Sequence, residues 1–183
     1  MENVNSTQIL NIQETHISRN EELAEIISHY KHLYNFEITN APDTDTYSGI
    51  IVCIRKTERL ISSEILEEGR LMLVKIQNEA SNVIKNIFSI YCKSSNAEQQ
   101  KSLISKMQDK IRLEKIENLV ILGDFNFVSS VLDRNSQTLN RIDLETKKKY
   151  GTLLKVNFHC KIVSGLQIQI EDYILIILKA IRK

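Results

Sequence analysis

The chain has 183 residues, of which 42% are hydrophobic and 26% charged, and its formal net charge is +1 at pH 7. This length and apolar content suffice for one good-sized core, so we predict a single domain, and the near-neutral charge gives no general argument for a nucleic-acid partner. The 3 cysteines are widely spaced and form no CxxC pair, which indicates free thiols in a reducing compartment and argues against a zinc site.

The two halves of the chain differ in charge. Residues 1–100 hold 9 Lys and Arg against 14 Asp and Glu, whereas residues 101–183 hold 15 against 9. An acidic metal-binding region beside a basic flank that meets phosphates would explain this difference, and so would ordinary solvated helix faces. The first ten residues, MENVNSTQIL, do not have the pattern of a secretory signal, and the run YILIIL is too short to span a bilayer. We therefore expect a soluble intracellular protein without a membrane partner, and the nucleus is one candidate location.

The spacing of apolar residues predicts the secondary structure in chain order. A strand over residues 8–13 is followed by a helix, which the capping box of Ser18 and Glu21 opens. Four β-rich segments then follow the turn at Pro42, and we expect them to be consecutive antiparallel strands. A helix over 96–113 and a short apolar strand at 119–122 come next, and residues 143–183 are expected to be helical. This order predicts an α/β protein with a two-sheet core and helices outside. The four β-rich segments are 48–56, 59–66, 70–77 and 84–91.

Polar side chains follow three of these strands at the point where each strand ends. Glu14 follows the first strand, Tyr91 ends the strand over 84–91, and Asp124 and Asn126 lie in the sequence GDFN after the apolar strand. Ligands of open α/β sheets are met at the carboxyl ends of strands, and Gly123 lets the backbone turn there. An Asx turn, in which Asp and Asn cap their own loop, is the more frequent explanation of such a tetrapeptide taken alone.

Convergence of these strand ends would place two carboxylates, a phenol and an amide in one cleft, a set that suits phosphodiester hydrolysis. Because the substrate is anionic, a divalent cation is needed to neutralise its oxygens. Mg²⁺ prefers one or two carboxylates and keeps several waters, and Glu14 could supply such a ligand. Asp124 could orient or deprotonate the attacking water, while Asn126 and Tyr91 are neutral donors for the phosphate oxygens.

The same residues resemble a known family. The order of QETH at 13–16, the strand ending at Tyr91 and GDFN at 123–126 is similar to that in the endonuclease/exonuclease/phosphatase superfamily. The resemblance implies a four-layer sandwich of two mixed β-sheets flanked by helices. Within the superfamily, the chain most resembles the apurinic-like endonuclease domain of LINE-type (non-LTR) retrotransposons. The segments that carry this closer likeness are Glu-Thr-His-x-Ser at 14–18, GIIVCIRK at 49–56, Glu68-Gly69-Arg70-Leu71 and Leu132-Asp133-Arg134.

The resemblance implies a role for each polar residue. Glu14 would be the ligand of Mg²⁺ or Mn²⁺, Tyr91 a contact to the phosphate and leaving group, Asp124 the residue that activates water, and Asn126 a hydrogen-bond donor in the transition state. DNA would be the substrate. The likeness covers about residues 8–140, so residues 1–183 are expected to form a single incomplete domain in which 143–183 are unassigned.

The chain departs from the family pattern in three places. The opening strand with an Asn-x-Asn-Gly-like motif and the closing Ser-Asp-His are not found, and the Tyr91 strand continues with Cys-Lys-Ser instead of Ala-Pro-Asn. We therefore expect a truncated or degenerate copy that lacks the family's first and last strands and has impaired activity. Two alternatives stay open, namely a non-catalytic module that binds nucleic acid or protein through the lysines at 147–149, and a phosphatase of the same superfamily.

Overall fold

A computed structural model describes residues 9–17, 20–40, 48–93, 96–126, 168–170 and 173–179. The sequence features at Ser18, at 132–134 and at 147–149 lie outside these ranges. Among the described residues no helix is long and apolar enough to cross a membrane. The helices and strands are β1 (Ile9–Gln13), α1 (Asn20–Tyr30), β2 (Tyr34–Thr39), β3 (Ile50–Arg55), β4 (Glu58–Glu67), β5 (Leu71–Asn78), β6 (Ile84–Tyr91), α2 (Ala97–Glu114), β7 (Leu119–Asp124), β8 (Ile168–Ile170) and β9 (Tyr173–Lys179).

The described strands form two mixed sheets. The first sheet has the order β2-β3-β1-β9-β8, and the second sheet has the order β4-β5-β6-β7. The pairs β1–β9 and β6–β7 are parallel, and the other neighbours are antiparallel. The parallel pair β6–β7 is joined through α2, as such pairs require, because a short turn cannot return a chain to the same direction.

Alternation along the strands assigns each apolar side chain to a layer. One face of β3, which carries Ile50, Val52 and Ile54, packs with residues of β5 and β6 into the core between the sheets. The opposite face of the first sheet is covered by α1 through Leu23, and the outer face of the second sheet by α2 through a cluster that includes Met107. The order α1, first sheet, second sheet, α2 confirms the predicted four-layer α/β sandwich.

Several predicted elements are confirmed and one interpretation needs refinement. The helix predicted over 96–113 is α2, and its N-cap Asn96 accepts a hydrogen bond from the Gln99 backbone N–H at 3.0 Å. The last three β-rich segments form the antiparallel meander β4-β5-β6. The first of the four segments is β3, and it belongs to the other sheet. Its apolar face packs against the meander, so β3 does not extend the meander as a further strand.

Two parts of the chain differ from expectation. The sequence YNFEIT at 34–39 forms β2, a strand that was not predicted although its alternating apolar and polar residues are typical of a half-buried strand. The helical expectation for 143–183 is wrong where the structure describes it, since 168–170 and 173–179 are strands. The run of Ile and Leu at 174–178 suits β9, an interior strand between β1 and β8.

Candidate active site

The end of β1 meets the end of β6 across the space between the two sheets. The Tyr91 hydroxyl donates a hydrogen bond to Glu14 Oε1 at 2.7 Å, and the two residues are 77 positions apart in the chain. Tyr91 is 7% exposed, whereas Glu14 is half-buried. A carboxylate that is partly exposed and already oriented by a phenol can accept a further ligand from solvent.

Glu14 has a backbone conformation that is unusual for a residue with a side chain. Its φ is 53° and that of His16 is 55°, both in the left-handed region. Such conformations cost about 1–3 kcal/mol and persist only where the surroundings enforce them. Here the Thr15 N–H donates to the Gly49 carbonyl at 3.4 Å and the His16 N–H to the Ser48 carbonyl at 3.0 Å. The loop after β1 is therefore fixed to the loop before β3.

Asp124 and Asn126 form a compact turn after β7. The Asn126 backbone N–H donates to Asp124 Oδ1 at 2.8 Å, which is the Asx turn considered above. The Asn126 side chain donates from Nδ2 to the Cys92 carbonyl at 2.6 Å, and its backbone φ is 49°. The turn thus presents one carboxylate and one amide at the end of the second sheet.

This turn lies beside Tyr91 because β6 and β7 run parallel and end together. Tyr91 and Asp124 are register partners, and the Cys92 N–H donates to the Asp124 carbonyl at 2.8 Å. The structure therefore brings Glu14 to Tyr91 and Tyr91 to the segment of Asp124 and Asn126. All four residues named from the sequence lie at one end of the sandwich.

Two buried polar contacts join the sheets just behind this end. Gln13 Nε2 donates to the Ile90 carbonyl at 2.7 Å, and the Ser89 hydroxyl donates to Asn11 Oδ1 at 2.7 Å. Asn11 and Gln13 point to the same face of β1 because they are two residues apart. Hydrogen bonds between buried groups have defined lengths and directions, so these contacts set the position of Glu14 relative to Tyr91.

Gly123 is required where Gln13 crosses to the second sheet. A Cβ atom at Gly123 would lie 1.9 Å from the Ile90 carbonyl oxygen and 2.9 Å from Gln13 Nε2. We expect Gly123→Ala to lower the free energy of unfolding by about 3 kcal/mol, because the Ile90 backbone cannot move without breaking the β6–β7 ladder. The measurement is urea unfolding, with Ser62→Thr, an added methyl group on the exposed face of β4, as control. An unchanged unfolding midpoint for Gly123→Ala would contradict this close approach.

Two buried side chains that support the site were not assigned a role from the sequence. Arg70 is 2% exposed, and its guanidinium lies over the Tyr91 ring, 4.6 Å from the centroid. Gln100, in the first turn of α2, is fully buried and donates from Nε2 to the carbonyls of Lys93 at 2.9 Å and Asn126 at 3.3 Å. Neither residue stands out in the sequence, since Gln100 lies in the polar run 96–102 and Arg70 follows Glu67, Glu68 and Gly69.

Burial keeps the phenol and the nearby thiol protonated. Desolvation raises the pKa of Tyr91 well above its ordinary value, and its hydrogen bond to Glu14 adds to this rise. Desolvation and the charge of Asp124 raise the pKa of Cys92 to about 12. At neutral pH the phenol therefore remains a hydrogen-bond donor, and Cys92 is a neutral thiol that does not offer a thiolate to a metal ion.

The donor set at this end determines which kind of metal site it can form. Within the described ranges, no group of three or more His, Cys, Asp or Glu side chains could hold a metal ion. A closed all-protein site of the zinc or calcium type is thus not formed by these residues. Mg²⁺ has smaller demands, since it binds through one or two carboxylates and fills its other positions with water and substrate phosphate. Glu14 fits this type of site.

Comparison with known proteins finds similarity at the level of structure. No protein-family model and no curated protein sequence matches the chain. A structure of ANGEL2, a 2',3'-cyclic phosphatase, in complex with adenosine-2',3'-vanadate has a TM-score of 0.54 at 15% identity and covers 66% of this chain and 40% of that one. Truncated TDP2 from Caenorhabditis elegans has a TM-score of 0.51 at 16% identity over 73% and 52% of the two chains.

A third similar structure is an endonuclease/exonuclease/phosphatase family protein from Bacteroides thetaiotaomicron. Its TM-score is 0.52 at 12% identity, and it covers 65% of this chain and 50% of that one. The chain therefore spans about half, or less, of the length of the structures it matches. At these identities the similarity concerns the fold alone. We conclude that this chain has the fold of the endonuclease/exonuclease/phosphatase superfamily.

Proposed function

We propose that the chain is a divalent-metal-dependent phosphoesterase that hydrolyses phosphodiester bonds in DNA. The observation that carries the proposal is the hydrogen bond from Tyr91 to Glu14, formed where the parallel strand β7 delivers Asp124 and Asn126. Two carboxylates, a phenol and an amide at one accessible strand end are the groups that phosphodiester hydrolysis requires. The fold shared with ANGEL2, a 2',3'-cyclic phosphatase, supports a phosphoester substrate.

Glu14 would hold Mg²⁺ or Mn²⁺ in this proposal. The ion, when bound, supplies positive charge to the phosphate oxygens and to the departing alkoxide. The Glu14 side chain is suited to this role because one oxygen is oriented by the Tyr91 hydroxyl and the group remains partly exposed. The left-handed backbone of Glu14, held by hydrogen bonds from its loop, keeps the carboxylate in place.

Asp124 would accept the proton of the attacking water. Its carboxylate is held by the Asn126 backbone N–H, which fixes its direction at the end of β7. An amide nitrogen carries two N–H donors, and Asn126 directs one of them to the Cys92 carbonyl. We assign the second N–H to a phosphate oxygen of the substrate, and we assign the Tyr91 hydroxyl to the phosphate and leaving group.

The finer assignment is an endonuclease of the LINE type whose turnover is impaired. The sequence resemblance over residues 8–140 supports this assignment. In this proposal, residues 1–183 form a single incomplete domain. Because the sequence contains no Asp-His pair, the base at Asp124 would act without the imidazole that the family uses. Loss of one acid-base group typically lowers a rate about 10²–10⁴-fold, so we expect slow nicking of DNA.

The experiment is a nicking assay on supercoiled plasmid with purified protein, Mg²⁺ or Mn²⁺, and a chelator in a parallel reaction. We expect open-circular product that increases with time and enzyme and disappears with the chelator. Asp109→Asn, a change on the exposed face of α2, is the matched protein control and should nick normally. DNA binding that weakens with salt but gives no product at any metal concentration would favour the non-catalytic module instead.

A phosphatase of the same superfamily is the second candidate function. The observation that favours it is the structural similarity to ANGEL2, which was solved with adenosine-2',3'-vanadate. The same carboxylates, phenol and amide would serve either substrate, since both reactions place charge on phosphate oxygens. Release of nucleoside monophosphate from a 2',3'-cyclic nucleotide, without nicking of plasmid, would select this candidate.

A further inference from the structure

We propose that Arg70 is a positioning residue of this site, which acts by holding the Tyr91 phenol on the Glu14 carboxylate. The inference rests on the proposed function and adds a residue to its machinery. Arg70 precedes β5, far from β1 in the chain, and its side chain reaches the ring of the residue that contacts Glu14. Its position relative to Tyr91 is fixed by three separate contacts.

The first contact is a cation–π interaction between the Arg70 guanidinium and the Tyr91 ring. The Arg70 guanidinium lies 4.6 Å from the centroid of the Tyr91 ring. The other two involve backbone groups, since Arg70 Nη1 donates to the Tyr91 carbonyl at 3.5 Å and the Tyr91 N–H donates to the Arg70 carbonyl at 2.8 Å. Arg70 therefore contacts both the backbone and the ring of Tyr91.

The burial of the Arg70 guanidinium makes its contact with the Tyr91 ring strong. Arg70 is 2% exposed, and a buried guanidinium is costly unless neighbouring groups compensate for the lost water. The face of the Tyr91 ring carries the negative end of its quadrupole and attracts the cation, most strongly when water is excluded. A cation on the ring face also draws electron density from the phenol, which strengthens its donation to the Glu14 carboxylate.

Arginine suits this position better than lysine would. A planar guanidinium stacks on a ring and donates sideways in the same plane, whereas an ammonium group is a compact point charge without a face to stack. The loop that carries Arg70 is also fixed, because the Gly69 N–H donates to Thr39 Oγ1 at 2.7 Å and the Gly69 carbonyl accepts from the Gly49 N–H at 3.0 Å. The stack of Arg70 on Tyr91 thus connects the loop that holds Glu14 to the Tyr91 ring, whose hydroxyl contacts Glu14.

The first test is kinetic, with Arg70→Lys because this variant keeps the charge. Partners that orient a metal-binding group typically contribute about 10–100-fold to activity, so we expect kcat to fall by about that factor while KM stays the same. KM is unaffected because the buried side chain does not touch substrate. Arg59→Lys, on the exposed part of β4, is the matched control and should leave both constants unchanged.

The same substitution in the Tyr91→Phe background separates positioning from a general structural effect. If Arg70 acts through the Tyr91 hydroxyl, Arg70→Lys should change kcat by less than about twofold once that hydroxyl is gone. Equal losses in both backgrounds would overturn the proposal.

The second test needs no activity and distinguishes failure of this inference from failure of the proposed function. Tyrosine labelled with ¹³C at the hydroxyl-bearing ring carbon gives a resonance for Tyr91, assigned by its loss in Tyr91→Phe. We expect folded Arg70→Lys to shift this resonance, and we expect Arg59→Lys to leave it in place. An unchanged Tyr91 resonance in folded Arg70→Lys overturns the positioning role even if the protein is an active nuclease, and a shift supports the role even if no hydrolysis is found.

Discussion

Asp124→Asn is expected to reduce the proposed metal-dependent hydrolysis by at least about a hundredfold, because the substitution removes the group that we propose as the base for the attacking water. Asparagine keeps the side-chain carbonyl that accepts the Asn126 N–H, so the Asx turn and the direction of the side chain are preserved. The initial rate of plasmid nicking at saturating metal is the measurement. A loss of this size with an unchanged thermal midpoint would assign the effect to chemistry.

The control for this prediction is Asp109→Asn. Asp109 is exposed on α2 and pairs with Arg112 at 3.5 Å, so the same chemical change occurs on the same protein outside the site. Surface ion pairs of this kind contribute little to stability. If Asp124→Asn nicks DNA at the rate of Asp109→Asn, Asp124 is not the base and the hydrolytic assignment of GDFN is wrong.

Glu14→Gln is expected to raise the concentration of Mg²⁺ needed for half-maximal activity by at least about tenfold. The glutamine carbonyl can still accept the Tyr91 hydroxyl hydrogen bond, so we expect the two loops to stay in position while the charge that we propose attracts the cation is lost. The measurement is a titration of initial rate against Mg²⁺, with activity at high metal concentration as evidence that the protein is folded.

Glu79→Gln is the matched control for this titration, since Glu79 lies exposed in the turn after β5. Its metal dependence should equal that of the unmodified protein. An identical Mg²⁺ requirement in Glu14→Gln would remove Glu14 from the metal site and leave its bond to Tyr91 as a purely structural contact.

The parts of the fold that the sequence predicted are those with a strong local pattern. The helix at Asn96 has a cap and a repeating apolar face, and the strand after Asn118 is a continuous apolar run bounded by Gly123. Patterns of this kind are local consequences of backbone periodicity. The strand β2 was missed because its alternation is short, and β9 was interpreted as helix because a run of Ile and Leu does not itself distinguish the two.

The candidate site was predictable only in its residue types. Glu14, Tyr91 and the GDFN turn stand out as polar groups at strand ends, and parallel pairing explains why Tyr91 and Asp124 are neighbours. The contact between Tyr91 and Glu14 depends on how one sheet packs on the other, and sheet packing is set by many side chains together. The roles of Arg70 and Gln100 depend on the same packing, so they became visible only in three dimensions.

The pairing of β1 with β9 has a consequence for the order of events during synthesis. Ile9 is the register partner of Leu175, so the strand that leads to Glu14 emerges from the ribosome long before its parallel neighbour exists. Until then β1 keeps an open edge, and unpaired edges recruit strands from other chains. Joining partners so distant in the chain is entropically costly and slow. We expect completion of the first sheet to be the rate-limiting folding step and the period in which nascent chains aggregate.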